Sequence, residues 1–162
     1  MTDIVDSATR SRMMSGIRGK DTAPELAVRR FLHARGYRFR LHRKDLPGSP
    51  DLVLSKYRVA IFVHGCFWHR HPGCFYVTSP ATRRDFWHEK LSRNVERDED
   101  QRRLLAGLGW RVLVVWECGI KHAADRMEEI PDFILSDQTQ RQWPEHPPRI
   151  RVTNRDKACH SG

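Results

Sequence analysis

Two apolar stretches constrain the fold of this chain more than any other feature. Val59-Ala60-Ile61-Phe62-Val63 is five apolar residues in a row, and Trp110–Trp116 is nearly as apolar. A strand sends alternate side chains to opposite faces, so a short run without polar positions needs cover on both faces. Between the two lies Thr82–Ala106, which reads as a helix with Trp87, Leu91 and Val95 at i, i+4 spacing. A helical crossover predicts that the second strand runs parallel to its neighbour.

The remaining elements fit around that unit. Leu52–Leu54 and Arg58–Val63 flank the turn Ser55–Tyr57 and predict a hairpin, and Tyr37–Leu41 alternates as a strand. Thr22–Ala34 predicts a helix: Thr22 and Glu25 have capping-box spacing, Pro24 stands in the first turn, and Gly36 ends it. Ala123–Leu135 predicts another helix, interrupted near Pro131. The expected organisation is a basic arm over 1–20, one α/β domain over 21–135, and a flexible tail over 136–162, where prolines replace aliphatic residues.

Lys and Arg total 29 against 20 acidic residues, a formal charge of +9, which favours a polyanionic partner. No run of about 18 apolar residues appears, so no membrane span is expected. The first twenty residues lack the continuous apolar stretch of a secretory signal, and a reducing cytoplasm is expected. There, Cys66, Cys74, Cys118 and Cys159 read as ligands or free thiols rather than as disulfides.

Cys66-x4-His71-x2-Cys74 sets two thiolates and an imidazole within nine residues, and Cys118 at the end of the second apolar strand can supply a fourth ligand. Such a set suits zinc in a closed, structural, tetrahedral site; the alternative is a group of buried free thiols. Asp51 follows Pro50 where the chain enters the hairpin, and the partner strand ends at Val63-His64. Carboxylate and carbonyl oxygens there suit magnesium, although Pro-Asp alone equally describes a turn-capping aspartate. His64 and His69 flank the cysteine cluster as candidate acid/base groups or spare ligands. The capping box by itself accounts for Glu25. Phe67 and Trp68 lie inside the cysteine loop and Trp87 on the next helix, as base-stacking groups or as cover for the loop. Lys90, Asn94, Arg97 and Asp98 share one polar helix face.

Taken together, these residues resemble the very short patch repair (Vsr-type) DNA mismatch endonucleases. The resemblance is carried by Ala8-Thr-Arg-Ser11, Leu46-Pro-Gly-Ser-Pro-Asp51, Ala60-Ile-Phe-Val-His-Gly-Cys-Phe-Trp-His69, Asn94-Val-Glu-Arg-Asp98 and Gly109-Trp-Arg-Val-Leu-Val-Val-Trp-Glu-Cys118, over about residues 6–120. It implies a restriction-endonuclease-like α/β core, with a central mixed β-sheet flanked by helices and a zinc-stabilised loop. It also implies a magnesium-dependent nick in one strand, 5′ to the thymine of a T:G mismatch left by 5-methylcytosine deamination. On this resemblance Asp51 and the Val63 carbonyl bind Mg2+; His64, His69 and Glu25 position water, with His69 the acid/base group. Cys66, His71, Cys74 and Cys118 bind Zn2+. Phe67, Trp68 and Trp87 form an aromatic wedge, and Met14, Lys90 and Asn94 lie around the mispaired bases. The expected partner is double-stranded, nucleoid DNA, met by a monomer. Two departures stand out: Phe62-Val63-His64 replaces the acid-x-Lys ending common in restriction enzymes, and the stretch His71–Cys74 is one residue longer than the family form. The rival readings are a restriction-like nuclease acting on matched duplex and a non-catalytic, zinc-stabilised DNA-binding module.

Overall fold

A computed structural model describes residues 21–149. The arm over 1–20, with Met14, and residues 150–162, with Cys159, lie outside the described residues. Helix α1 (Ala23–Ala34) starts at Thr22, whose side chain accepts the Glu25 N–H at 3.4 Å. The other half of the expected capping box differs: the Glu25 carboxylate accepts from the Asp21 N–H, at 3.0 Å. Strand β1 is only Arg40–Leu41, the end of the predicted 37–41 strand. Then come β2 (Leu52–Leu54) and β3 (Val59–His64), joined by a 3-10 turn over Ser55–Tyr57 and by Arg58 in the left-handed region. A short helix α2 (Cys66–His69) leads to α3 (Arg84–Gly107), the crossover to β4 (Arg111–Trp116). The helix expected over 123–135 is instead a 3-10 turn, Ala124–Arg126, following α4 (Glu117–His122) and preceding α5 (Glu129–Leu135). Pro131 sits in the first turn of α5, where a missing N–H interrupts no helical hydrogen bond.

The sheet is mixed. β1, β2 and β3 run antiparallel in a meander, while β3, β4 and β5 (Gln140–Trp143) are parallel. The alternation expected of a doubly covered sheet is explicit in the packing. Val59, Ile61, Leu113 and Val115 face one core with Val28 and Leu32 of α1 and Phe133 of α5. Ala60, Phe62, Val112, Val114 and Trp116 face the other, with Leu105 of α3 and the cysteines Cys66, Cys74 and Cys118. The apolar runs contain almost no polar position because neither face meets water.

β5 lies within the stretch read as a flexible tail, and over 140–143 it corrects that reading. Gln140–Trp143 pairs with Val112–Val115, and Trp143 is 1% exposed. The cause is Arg111, whose guanidinium donates to the carbonyls of Tyr57 at 3.0 Å, Ile134 at 2.8 Å and Ser136 at 2.8 Å. One cation thereby ties the hairpin turn to the carboxyl end of α5, where free carbonyls collect, and directs the following chain onto the sheet edge. Trp143→Ala should therefore lower unfolding free energy by about 3–5 kcal/mol, as for a large aromatic removed from a core. Urea denaturation checks this; a loss under about 1 kcal/mol would mean that β5 is not part of the folded body.

Candidate active site and metal centres

A cleft of about 940 Å³ opens beside the end of β3, between α1 and α3. Asp51 enters it from the residue before β2, and its Oδ2 accepts the Val63 N–H at 2.7 Å. A strand residue presents its N–H and C=O to the same edge, so the Val63 carbonyl also faces the Asp51 side. Glu25, from the first turn of α1, is 2% exposed and lines the same cleft. Burial pushes the Asp51 carboxyl up to about 7, and the neighbouring Glu25 adds to the rise against the pull of the Val63 N–H. Asp51 beside the buried Glu25 carboxyl, with the Val63 carbonyl on the same side, makes an oxygen-rich pocket suited to a hard divalent cation. His42 lies against both, Nδ1 at 3.7 Å from Asp51 Oδ1 and Nε2 at 3.5 Å from Glu25 Oε2.

On the opposite wall the rings of His64 and His69 stack at 3.8 Å, 7° from parallel. Burial, ahead of His69 and Arg102, pushes His64 well below the ordinary imidazole value, so it stays neutral. His69 Nδ1 meets Asp98 Oδ2 of α3 at 2.5 Å. A carboxylate at Nδ1 fixes that nitrogen as the protonated one and leaves Nε2 to exchange a proton. This is the base-plus-orienting-acid arrangement of general base catalysis.

Behind this wall, Cys66, His71, Cys74 and Cys118 are buried with their ligand atoms all within 4.8 Å of one another. Cys118 Sγ is 3.3 Å and Cys66 Sγ 3.9 Å from His71 Nδ1. A tetrahedral zinc with bonds of about 2.0–2.3 Å spaces its ligands by roughly 3.3–3.8 Å, so this donor set fits it in both chemistry and dimension. Cys118 donating toward Cys66 holds the Cys66 thiol down at about 5, helped by His71, while the same contact drives Cys118 up. A lowered Cys66 thiol favours the thiolate, the form that binds metal. The His71-Pro72-Gly73-Cys74 turn, with Gly73 at φ 72°, brings Cys74 back to His71 despite its extra residue.

Phe67, Trp68 and Trp87 form one aromatic cluster, with ring centroids 5.1–6.1 Å apart. Lys90 holds its ammonium 5.8 Å from the Trp68 ring and 5.7 Å from that of Trp87. Trp68 lines the cleft, and its carbonyl accepts from Asn94 Nδ2 at 3.2 Å. Trp87 is only 8% exposed, so it backs the other two rings rather than projecting beside them.

Comparison with known proteins identifies the family. A family model described as DNA mismatch endonuclease Vsr matches residues 2–74. The DNA mismatch endonuclease Vsr of Escherichia coli (strain K12) is 44% identical over 143 residues, 88% of each chain. The type II nicking enzyme V.XorIIP of Xanthomonas oryzae pv. oryzae is 52% identical over 118 residues, 73% of this chain and 86% of that one. V.NmeAIP of Neisseria meningitidis, also a type II nicking enzyme, is 45% identical over 124 residues, 76% of this chain and 88% of the relative. The chain belongs to the Vsr family of DNA mismatch endonucleases. It is accordingly a DNA endonuclease of mismatch repair, on a restriction-endonuclease-like α/β fold with a mixed sheet.

Within this Vsr-family chain, Asp51, Val63, His64, His69 and Glu25 converge on one cleft, and the four metal-ligand candidates converge on another cluster. Glu25, explained by helix capping alone in the sequence, faces the cleft. Sequence reasoning missed His42 and Arg29 beside the carboxylates, and it gave Asp98 only a place on a polar helix face. The Glu25–Arg29 spacing of one helical turn was a visible signal. His69 and Asp98 are 29 residues apart and gave none.

The raised Asp51 carboxyl makes a prediction for metal-free protein. A group that holds its proton more tightly when folded contributes stability below its unfolded value, and loses that contribution as pH rises through the folded one. The window here runs from the ordinary carboxylate value of 3.8 to about 7. The stability of Asp51→Asn relative to wild type should therefore climb across that window and stay flat on either side. Chemical denaturation in chelator at a series of pH values measures it; a flat difference would show that Asp51 ionises freely.

Proposed function

We propose that this chain is a magnesium-dependent endonuclease that nicks one DNA strand 5′ to the thymine of a T:G mismatch, with a structural zinc holding its cysteine loop. The observation that carries the reading is Asp51 beside the buried Glu25, facing one cleft with the His69–Asp98 dyad. Asp51 and the Val63 carbonyl are the residues to hold magnesium, which would supply Lewis-acid stabilisation of charge at the scissile phosphate. Glu25 orients water from the α1 side. His69, with Asp98 fixing its tautomer, moves the proton at Nε2, and neutral His64 keeps the His69 ring flat against its own. Several relatives are described as nicking enzymes, in keeping with a cut in one strand. A mismatch has no two-fold symmetry, so one copy of the chain suffices.

For recognition, Trp68 and Phe67 are the side chains to enter the stack, with Trp87 as their support. Unstacking a step costs a few kcal/mol, less at a wobble pair, and aromatic stacking offsets part of it. Lys90 and Asn94 are placed to read displaced base edges. Asn94 already donates to the Trp68 carbonyl and accepts from Arg97 at 3.4 Å, so base reading exchanges one of these contacts.

The test is nicking of T:G and C:G duplexes of otherwise identical sequence, with magnesium and with chelator. T:G duplex should be nicked only with magnesium, and C:G duplex should not. Equal nicking would favour a matched-duplex nuclease, and none at all a binding module. Asp51→Asn should abolish nicking and His69→Ala should slow it by about 10²–10⁴. Trp68→Ala should lose T:G activity while weak DNA binding remains.

The zinc assignment has its own check. Purified protein should carry about one zinc per chain, and Cys118→Ser should lower both zinc content and melting temperature. Folded, active protein without zinc would rule it out.

A further inference from the structure

Arg29 of α1 occupies an unusual position. Its Nη2 lies 2.7 Å from Asp21 Oδ1, 3.1 Å from Glu25 Oε2 and 3.0 Å from His42 Nε2. Those three residues form a carboxylate–carboxylate–imidazole group with the mutual spacing of a metal site. The guanidinium nitrogen thus sits among the three ligand atoms that a cation would take. Its Nε is buried with no hydrogen-bond partner, so the side chain is held by the contacts at its far end. Guanidinium nitrogens only donate, so His42 Nε2 accepts, and the imidazole proton is on Nδ1, the nitrogen facing Asp51.

We propose that Arg29 is a built-in cation that fills the Asp21–Glu25–His42 triad, keeps divalent metal out of it, and holds Glu25 and His42 against the Asp51 metal site. The inference rests on the reading of Asp51 as the magnesium ligand. Its chemistry is direct. Glu25 is buried beside a second carboxylate, and without a fixed positive charge the pair would gather metal ions at either side. A guanidinium offers the charge without the open coordination positions of a metal. It therefore neutralises Glu25 while leaving the shared cleft for the ion at Asp51. Arg29 is a positioning residue here.

The experiment counts Mn2+ ions, as a spectroscopically visible substitute for magnesium, bound to zinc-loaded full-length chain by electron paramagnetic resonance. Arg29→Gln should bind about one Mn2+ more than wild type, within roughly tenfold of the wild-type affinity, and Arg29→Lys should return to the wild-type count. Adding His42→Gln to Arg29→Gln should remove the extra ion. A folded Arg29→Gln chain with the wild-type count would overturn the proposal. Asp21→Asn supplies an independent arm should Arg29→Gln fail to fold. Asp21 holds Arg29 and no metal, so the wild-type count should survive that change, and loss of an ion would overturn the proposal. Failure of the underlying reading looks different: Mn2+ binding that Asp51→Asn leaves untouched removes the metal from Asp51, and the proposal falls with it.

Discussion

The parallel pairing of β3 with β4, from Val59 opposite Arg111 to His64 opposite Trp116, is the constraint on which the rest of the molecule depends. Both strands end at the same level, so everything just beyond them is brought together. Past β3 come Cys66 and His69; past β4 comes Cys118. The hairpin partner of β3 begins one residue after Asp51, which places that carboxylate at the Val63 N–H. The pair is held by burial on both faces, where two core clusters meet. An error in register between β3 and β4 would separate Cys66 from Cys118 and reverse which side chains face each core.

The two groups of candidate metal ligands differ in hardness and are kept apart by the sheet end. Thiolates and an imidazole lie on the α3 side, and oxygens on the α1 side. They are nevertheless mechanically connected. His71 stacks on Trp116 at 4.3 Å, Trp116 meets the His64 ring edge at 5.4 Å, and His64 stacks on His69. This continuous series of rings runs from the cysteine cluster to the dyad with Asp98. Ordering the cysteine loop therefore also orders His69 and its contact with Asp98.

The cleft also reconciles the chain's positive charge with an acidic centre. A net charge of +9 attracts the phosphate backbone, yet the carboxylates of Asp51 and Glu25 line the cleft. Long-range attraction belongs to the surface as a whole. Local repulsion at Asp51 and Glu25 is countered by Arg29, whose guanidinium lies 3.1 Å from the Glu25 carboxylate.

Much of this was present in the sequence. The apolar runs required strands covered on both faces, the 82–106 helix required a parallel crossover, and the Cys66–His71–Cys74 spacing pointed to side chains that the fold does bring together. Such features are local or periodic, and local chemistry is written in adjacent residues. The structure decided what depended on distant segments meeting. Gln140–Trp143 looked like tail because a four-residue edge strand has no periodicity to display; only Arg111 and the open edge of β4 make it a strand. Asp98 became the partner of His69 because α3 packs across α2, and His42 entered the carboxylate site because the chain after β1 turns through a left-handed residue. Thus the sequence by itself determined the doubly covered strands, the crossover helix, the thiol and imidazole side chains of the cysteine loop, and the family. The tertiary structure alone decided which charges share a cleft, since a side chain's partners across a fold are set by packing and not by spacing along the chain.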